Sequence, residues 1–279
     1  MKLIGTISNV EEIKTSKLDV FLVGLDNLSI NYDTFSFKNI KKINMSHEVI
    51  VALNKNYHNH ELESVKEALI SLSDIKVKGV IFCDMAVLNI VKNYDIDINL
   101  IYYADHQTTN YQTINFLLNE GCGGAFISSE IVYEDIKDII NKVSNDKLLI
   151  VQVFGYQSIF VSERRMVTNY MNKFKLKGNP TSIKKEGKTY LVKDNEAGTV
   201  VYSSYVLNAL KEALKLKKDN VYFFLNNLGI DNNIYNEIVN IFKSVNEENK
   251  NELFTKINSM IPNTDLGFFY KKTVARVKK

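Results

Sequence analysis

Short, nearly uninterrupted apolar runs punctuate the chain: LIGTI (3–7), VFLVG (20–24), VIVAL (49–53), GVIFC (79–83), NLIYY (99–103), GAFIS (124–128), LLIVQVF (148–154), TVVY (199–202) and VYFFL (221–225). They are rich in β-branched residues and lack the alternation of a half-exposed strand. They therefore read as parallel strands buried on both faces under a layer of helices. The segments between them keep a helical period. Leu62, Val65, Ala68 and Leu69 put one apolar stripe on a helix over Glu61–Leu72. Further helices are predicted over Tyr111–Leu118, Glu134–Val143, Val206–Leu216 and Ile234–Phe242. This alternation predicts an α/β fold, a (β/α) barrel of the TIM type. A doubly wound open sheet fits less well, because no GxGxxG follows any strand.

Nine runs are one too many for an eight-stranded barrel. The extra one is TVVY, which can pair with TYLV (189–192) across the turn-rich KDNEAG (193–198). Residues 171–203 then form an insertion after the strand at 148–154. The expected organisation is a barrel over 1–246 carrying that insertion, with a C-terminal extension over 247–279.

Composition adds bounds. Hydrophobic residues make up 45% of the 279 positions, ample for a large core. No apolar run is long enough to span a bilayer, and the start turns polar too early for a secretory leader, so a cytoplasmic location is expected. Two cysteines, Cys83 and Cys122, cannot build a disulfide framework or a four-thiolate site. His58 and His60 in HNHE lack convincing partners, so no metal site is expected. The net charge of +3 is mild, but its distribution is uneven. Lys173, Lys175, Lys177, Lys184 and Lys185, with Lys188, face only Glu186, a pattern suited to RNA phosphates.

Barrel chemistry sits at the C-terminal ends of the strands. There the sequence places Asn54, Asp84, Asp105, His106, Ser129, Glu130, Ser203, Ser204, Asn226 and Asn227. Ser, Asp and Asn also belong at helix N-caps, and Asp84 before MAVLNIV reads as one. Glu130 is a poor cap and so a stronger functional candidate. Arg164 and Arg165 stand out in a chain whose cations are mostly lysine; a guanidinium fork suits a carboxylate or a phosphate.

The segment VQVFGYQSIFVSERRMVTNY (151–170) resembles the signature of peptidase family U32. Gly155, Ser162, Arg164, Asn169 and Tyr170 fall on its pattern, while Phe154 stands at its His and Ser158 and Arg165 at its two Cys. VALNKNYHNHELESV (51–65) resembles a second family segment through Asn54, His58, Asn59 and Glu61. GVIFCDMAVL, the stretch 104–131 with Asn110 and Glu130, EAGTVVYSSYVLNAL and DLGFFYKKTVARVK resemble others. The resemblance covers nearly the whole chain. It implies the barrel, and a function in hydroxylating the wobble uridine of tRNA with prephenate, or in assisting it. Under that reading Glu130 and Arg164 are catalytic. Asn54, His58, Asp84, Asn110 and Ser203 bind substrate, and the five lysines from Lys173 to Lys185 bind tRNA. The family's iron–sulfur cluster is expected to be absent, since its cysteines are missing, which implies a cysteine-containing U32 paralogue as partner. Two other readings stay open: a collagenase-like peptidase and a non-catalytic RNA-binding scaffold.

Overall fold

In a computed structural model the protein is described over residues 1–104, 107–178 and 180–271. Asp105, His106 and the tail cations Lys272, Arg276, Lys278 and Lys279 lie outside the described residues. The strands are β1 (Lys2–Thr6), β2 (Val20–Leu25), the short β3 (Thr34–Phe35), β4 (Glu48–Leu53), β5 (Gly79–Phe82), β6 (Leu100–Tyr102), β7 (Gly124–Phe126), β8 (Leu148–Ser162), β9 (Ser182–Lys185), β10 (Lys188–Asn195), β11 (Gly198–Asn208), β12 (Val221–Leu225) and β13 (Thr264–Asp265). The helices are α1 (Phe37–Asn44), α2 (Leu62–Asp74), α3 (Met85–Asn93), α4 (Tyr111–Asn119), α5 (Tyr133–Lys142), α6 (Met166–Lys173), α7 (Leu210–Lys215), α8 (Asn232–Ser244) and α9 (Lys250–Met260). One turn of 3-10 helix, Val10–Lys14, replaces an α-helix between β1 and β2.

Strands β1, β2, β4, β5, β6, β7, β8 and β12 pair in parallel in that order, and β12 pairs with both β8 and β1. The sheet closes into the expected eight-stranded barrel. The uninterrupted apolar runs now have a physical reason. Ile4, Leu22, Ile50, Ile81, Ile101, Phe126, Ile150 and Phe224 pack inside the barrel. Their neighbours Leu3, Phe21, Val49, Val51, Val80 and Leu149 point the other way and pack under the helices. Each strand is buried on both faces, so neither face can be polar.

The departure from a plain barrel is β8. After Phe154 it continues for eight residues beyond its barrel partners and pairs antiparallel with β11. β10 joins β11 as the expected hairpin, and β9 adds to β10. Glu186 and Gly187, with φ of 50° and 74°, turn the β9–β10 hairpin in a tight two-residue loop. Together β8's extension, β11, β10, β9 and α6 make an arm over the barrel. The helix expected over Val206–Leu216 starts only at Leu210. Val206 and Leu207 stay in β11, buried and paired with Tyr156 and Gly155 on one side and with β13 on the other. The C-terminal segment packs back on the barrel, with Ile257 and Phe269 buried in its outer core.

Candidate functional site at the barrel mouth

The C-terminal ends of the barrel strands and the underside of the arm enclose a cleft of about 300 Å³. Asn54, Lys55 and Asn56 line it after β4, Cys83 after β5, and Tyr103 and Ala104 after β6. The arm contributes Ser158 to Glu163, and within it Ile159, Phe160 and Val161 are exposed. The lining thus mixes apolar side chains with a few polar groups, as in small-molecule sites.

Many strand-end polar residues act as latches. Asn54 uses both halves of its amide on one residue: Oδ1 accepts from the Ile30 N–H at 3.1 Å and Nδ2 donates to its carbonyl at 2.9 Å. That pair fixes the loop after β2 as one wall of the cleft. Asp84 caps α3 through the Ala86 N–H at 2.9 Å and accepts the Tyr57 N–H at 2.8 Å with its other oxygen. Tyr57 in turn donates to the Leu28 carbonyl, and burial pushes its phenol well above the usual range. Asn226 donates to the Tyr156 carbonyl at 3.1 Å, and Asn227 accepts from Thr6 at 2.7 Å. These amides tie the arm's root and the β1 loop to the barrel.

The other sequence candidates, and the lysine beside them, scatter around this centre. Lys55 donates to Glu61 at 3.0 Å and to the Asn27 carbonyl at 3.1 Å. Glu61 accepts the His58 backbone N–H, and chiefly for that reason its carboxyl lies below its ordinary value. His58 is exposed and stacks on His60 in a shallow pocket beside the cleft that also includes Glu163 and Glu196. Asn110 caps α4 through the Thr113 N–H at 3.0 Å. Ser203 is 2% exposed and is used within the arm, donating to the Tyr205 carbonyl and accepting from the Gln157 N–H. Glu130 is half-buried in the loop after β7 and does not line the cleft.

Arg164 is exposed next to Glu163 at the cleft rim, and no carboxylate among the described residues pairs with it. Arg165 donates to Glu196 at 2.7 Å. Lys173, Lys175, Lys177, Lys184 and Lys185 lie exposed on α6, the following loop and β9. The structure therefore gathers Asn54, with Arg164 at the rim, and leaves Asn110, Ser203 and Glu130 apart from the cleft. Sequence reasoning missed Lys55, Tyr103 and the apolar underside of β8. No local signal marked that underside, because Gly155, Gln157 and Ser158 interrupt the apolar run between Phe154 and Ile159.

The model of peptidase family U32 matches residues 5–224, and the chain belongs to that family. It is 25% identical to tRNA hydroxylation protein P2 of Bacillus subtilis (strain 168), over 91% of each chain. It also aligns with the solved structure of the U32 peptidase Mk0906 at a TM-score of 0.50 and 13% identity, covering 81% of this chain and 92% of that one. At that identity the second likeness shows the barrel fold. Among the described residues no helix is long and apolar enough to cross a membrane.

Proposed function

We propose that this protein acts in 5-hydroxylation of the wobble uridine of tRNA, as a member without the family's iron–sulfur cluster that assists a cysteine-containing U32 protein. The observation carrying this reading is the end-to-end likeness to tRNA hydroxylation protein P2. The residues in hand do not fit the cluster. Ser158 and Arg165 stand at the first two cysteine positions, and a hydroxyl and a guanidinium held by Glu196 do not replace thiolates on iron. Cys122 is fully buried, and burial pushes its thiol up to about 11, away from the thiolate a metal needs.

In this reading the cleft takes a small carboxylate such as prephenate, with the Arg164 guanidinium at the rim as its fork. The arm's lysines take tRNA phosphates, and the cytoplasm is where the two meet. Peptide hydrolysis, the competing reading, needs a nucleophile with a base beside it. Of the hydroxyls lining the cleft, Ser158 Oγ is buried without a hydrogen-bond partner, and Ser162 Oγ accepts the Arg164 N–H. Nucleoside mass spectrometry of tRNA from a strain lacking the protein is the test. Loss or reduction of 5-hydroxylated uridine is expected. An unchanged level, in a host that makes the modification, ends the reading.

A further inference from the structure

The outer face of α6 is built against the usual rule for aromatic side chains. Its inner face, Val167, Thr168 and Met171, is half-buried, and the Asp194 carboxylate of β10 accepts from the Val167 and Thr168 N–H groups. Flanking that stripe, Tyr170 and Phe174, one turn apart, are 57% and 54% exposed. Their ring centroids lie 4.8 Å apart, and the Lys173 ammonium sits 5.7 Å from the Phe174 ring. Burying either ring would have stabilised the fold, yet both are held in water on a fixed scaffold. On the same arm, Lys173, Lys175, Lys177, Lys184, Lys185 and Lys188 are exposed and have no carboxylate partner among the described residues. Some lysines elsewhere, such as Lys55, Lys78 and Lys243, have one, while single ones such as Lys38 and Lys76 do not; the arm differs in carrying six in sixteen residues.

We propose that Tyr170 and Phe174 form a stacking platform for unpaired RNA bases, with the arm's lysines holding the phosphates. Two exposed rings amid unneutralised cations are the two parts of a single-strand site: stacking on base faces and a positive track for the backbone. Exposed Asn169 and Asn172 on the same helix add amides able to meet base edges. Those amides would be unwelcome against a lipid tail, which argues for RNA over a membrane surface. A duplex hides its base faces, so the platform selects a loop over a stem. This deepens the tRNA reading and rests on it, by assigning the arm to the unpaired loop of the substrate.

The test uses the full chain with two RNA probes, an anticodon stem-loop and the same stem as a plain duplex. Wild type should prefer the stem-loop. Tyr170→Ala with Phe174→Ala should weaken stem-loop binding on the order of 10-fold or more and erase the preference, without changing the slope of affinity against salt. Tyr170→Phe should keep the preference, which separates stacking from misfolding. Neutralising the lysines should flatten the salt slope for both probes. If the double alanine variant binds the stem-loop as wild type does, the platform is overturned while the tRNA reading stands. If wild type binds neither RNA at low salt, but binds phosphatidylserine vesicles through Tyr170 and Phe174, the face belongs to a lipid surface and the proposal falls. A tRNA nucleoside profile unchanged by deletion, with stem-loop binding intact, would instead remove the hydroxylation reading alone.

Discussion

Asn54 illustrates how residue-level signals divide. Its place after VIVAL marked it as a mouth residue, and it lines the cleft, but its amide is fully engaged with Ile30. Asn54→Ala strands a buried N–H and a buried carbonyl. It should lower stability by about 1–3 kcal/mol in urea unfolding. Asp84 was legible as a cap from the sequence alone, whereas Asn110, expected to bind substrate, caps α4. Asp194 was not legible, because its partners on α6 lie more than twenty-five residues before it. At Asp194 burial opposes ionisation, but hydrogen bonds from the Thr168 and Thr199 side chains and the Thr168 and Val167 N–H groups outweigh it. The carboxyl therefore sits below its usual value. A folded-state pKa below the unfolded one gives stabilisation that is complete above the unfolded value, about 4. That stabilisation is lost as pH falls through the folded value. The α6 amides should therefore lose protection in acid, measured by hydrogen exchange as the rate relative to the intrinsic rate at each pH. Asp194→Asn should exchange faster already at neutral pH and show a weaker acid dependence.

Elements were read best where both faces of a strand are buried. All eight barrel strands appear within two residues of their expected starts, because packing on two sides leaves an unbroken apolar run. α1, α6 and α9 went unread, since each buries a narrow stripe or none: Ile40 and Ile43 in α1, no fully buried residue in α6, and Ile257 in α9. The misplaced helix start at Val206 has a similar cause. Val206, Leu207, Leu210 and Ala213 satisfy a helical period, yet the first two answer to β8 across the sheet. Gly155 joins motif to geometry. It sits where β8 leaves the barrel, with φ of 99°, and a Cβ there would lie 2.3 Å from the Asn226 carbonyl oxygen. Only glycine fits, which explains why the signature carries one. Gly155→Ala should cost at least about 2 kcal/mol, combining backbone strain and a clash with main chain. Thermal unfolding checks it, and an unchanged melting temperature would mean that the arm can re-seat freely.

At the scale of the molecule, the barrel and the hairpin were legible and the arm was not. Nothing local in IFVSE announces that a buried stave will continue into the open, because the cause is β11, forty residues further along. The C-terminal segment is equally a matter of tertiary contact. Ending the chain after Ser244 would remove Ile257 and Phe269, 0% and 3% exposed, and strip β13 from β11. Two buried side chains of that size correspond to about 5 kcal/mol or more, much of a domain's margin. The shortened protein should lose its cooperative melt in calorimetry, and retention of a sharp transition would show the segment to be dispensable.

One strand serves as barrel stave and as spine of the arm, and that makes the molecule a ruler. Between Tyr156 and Ser162 β8 runs seven residues as one strand, shifting register against β11 between Tyr156 and Phe160. At the rise of an extended chain this is roughly 20 Å. No loop intervenes to act as a joint. Whatever rests at the far end is therefore kept at one distance and one bearing from the mouth, and an insertion of two residues in this stretch would move the mark without altering either end.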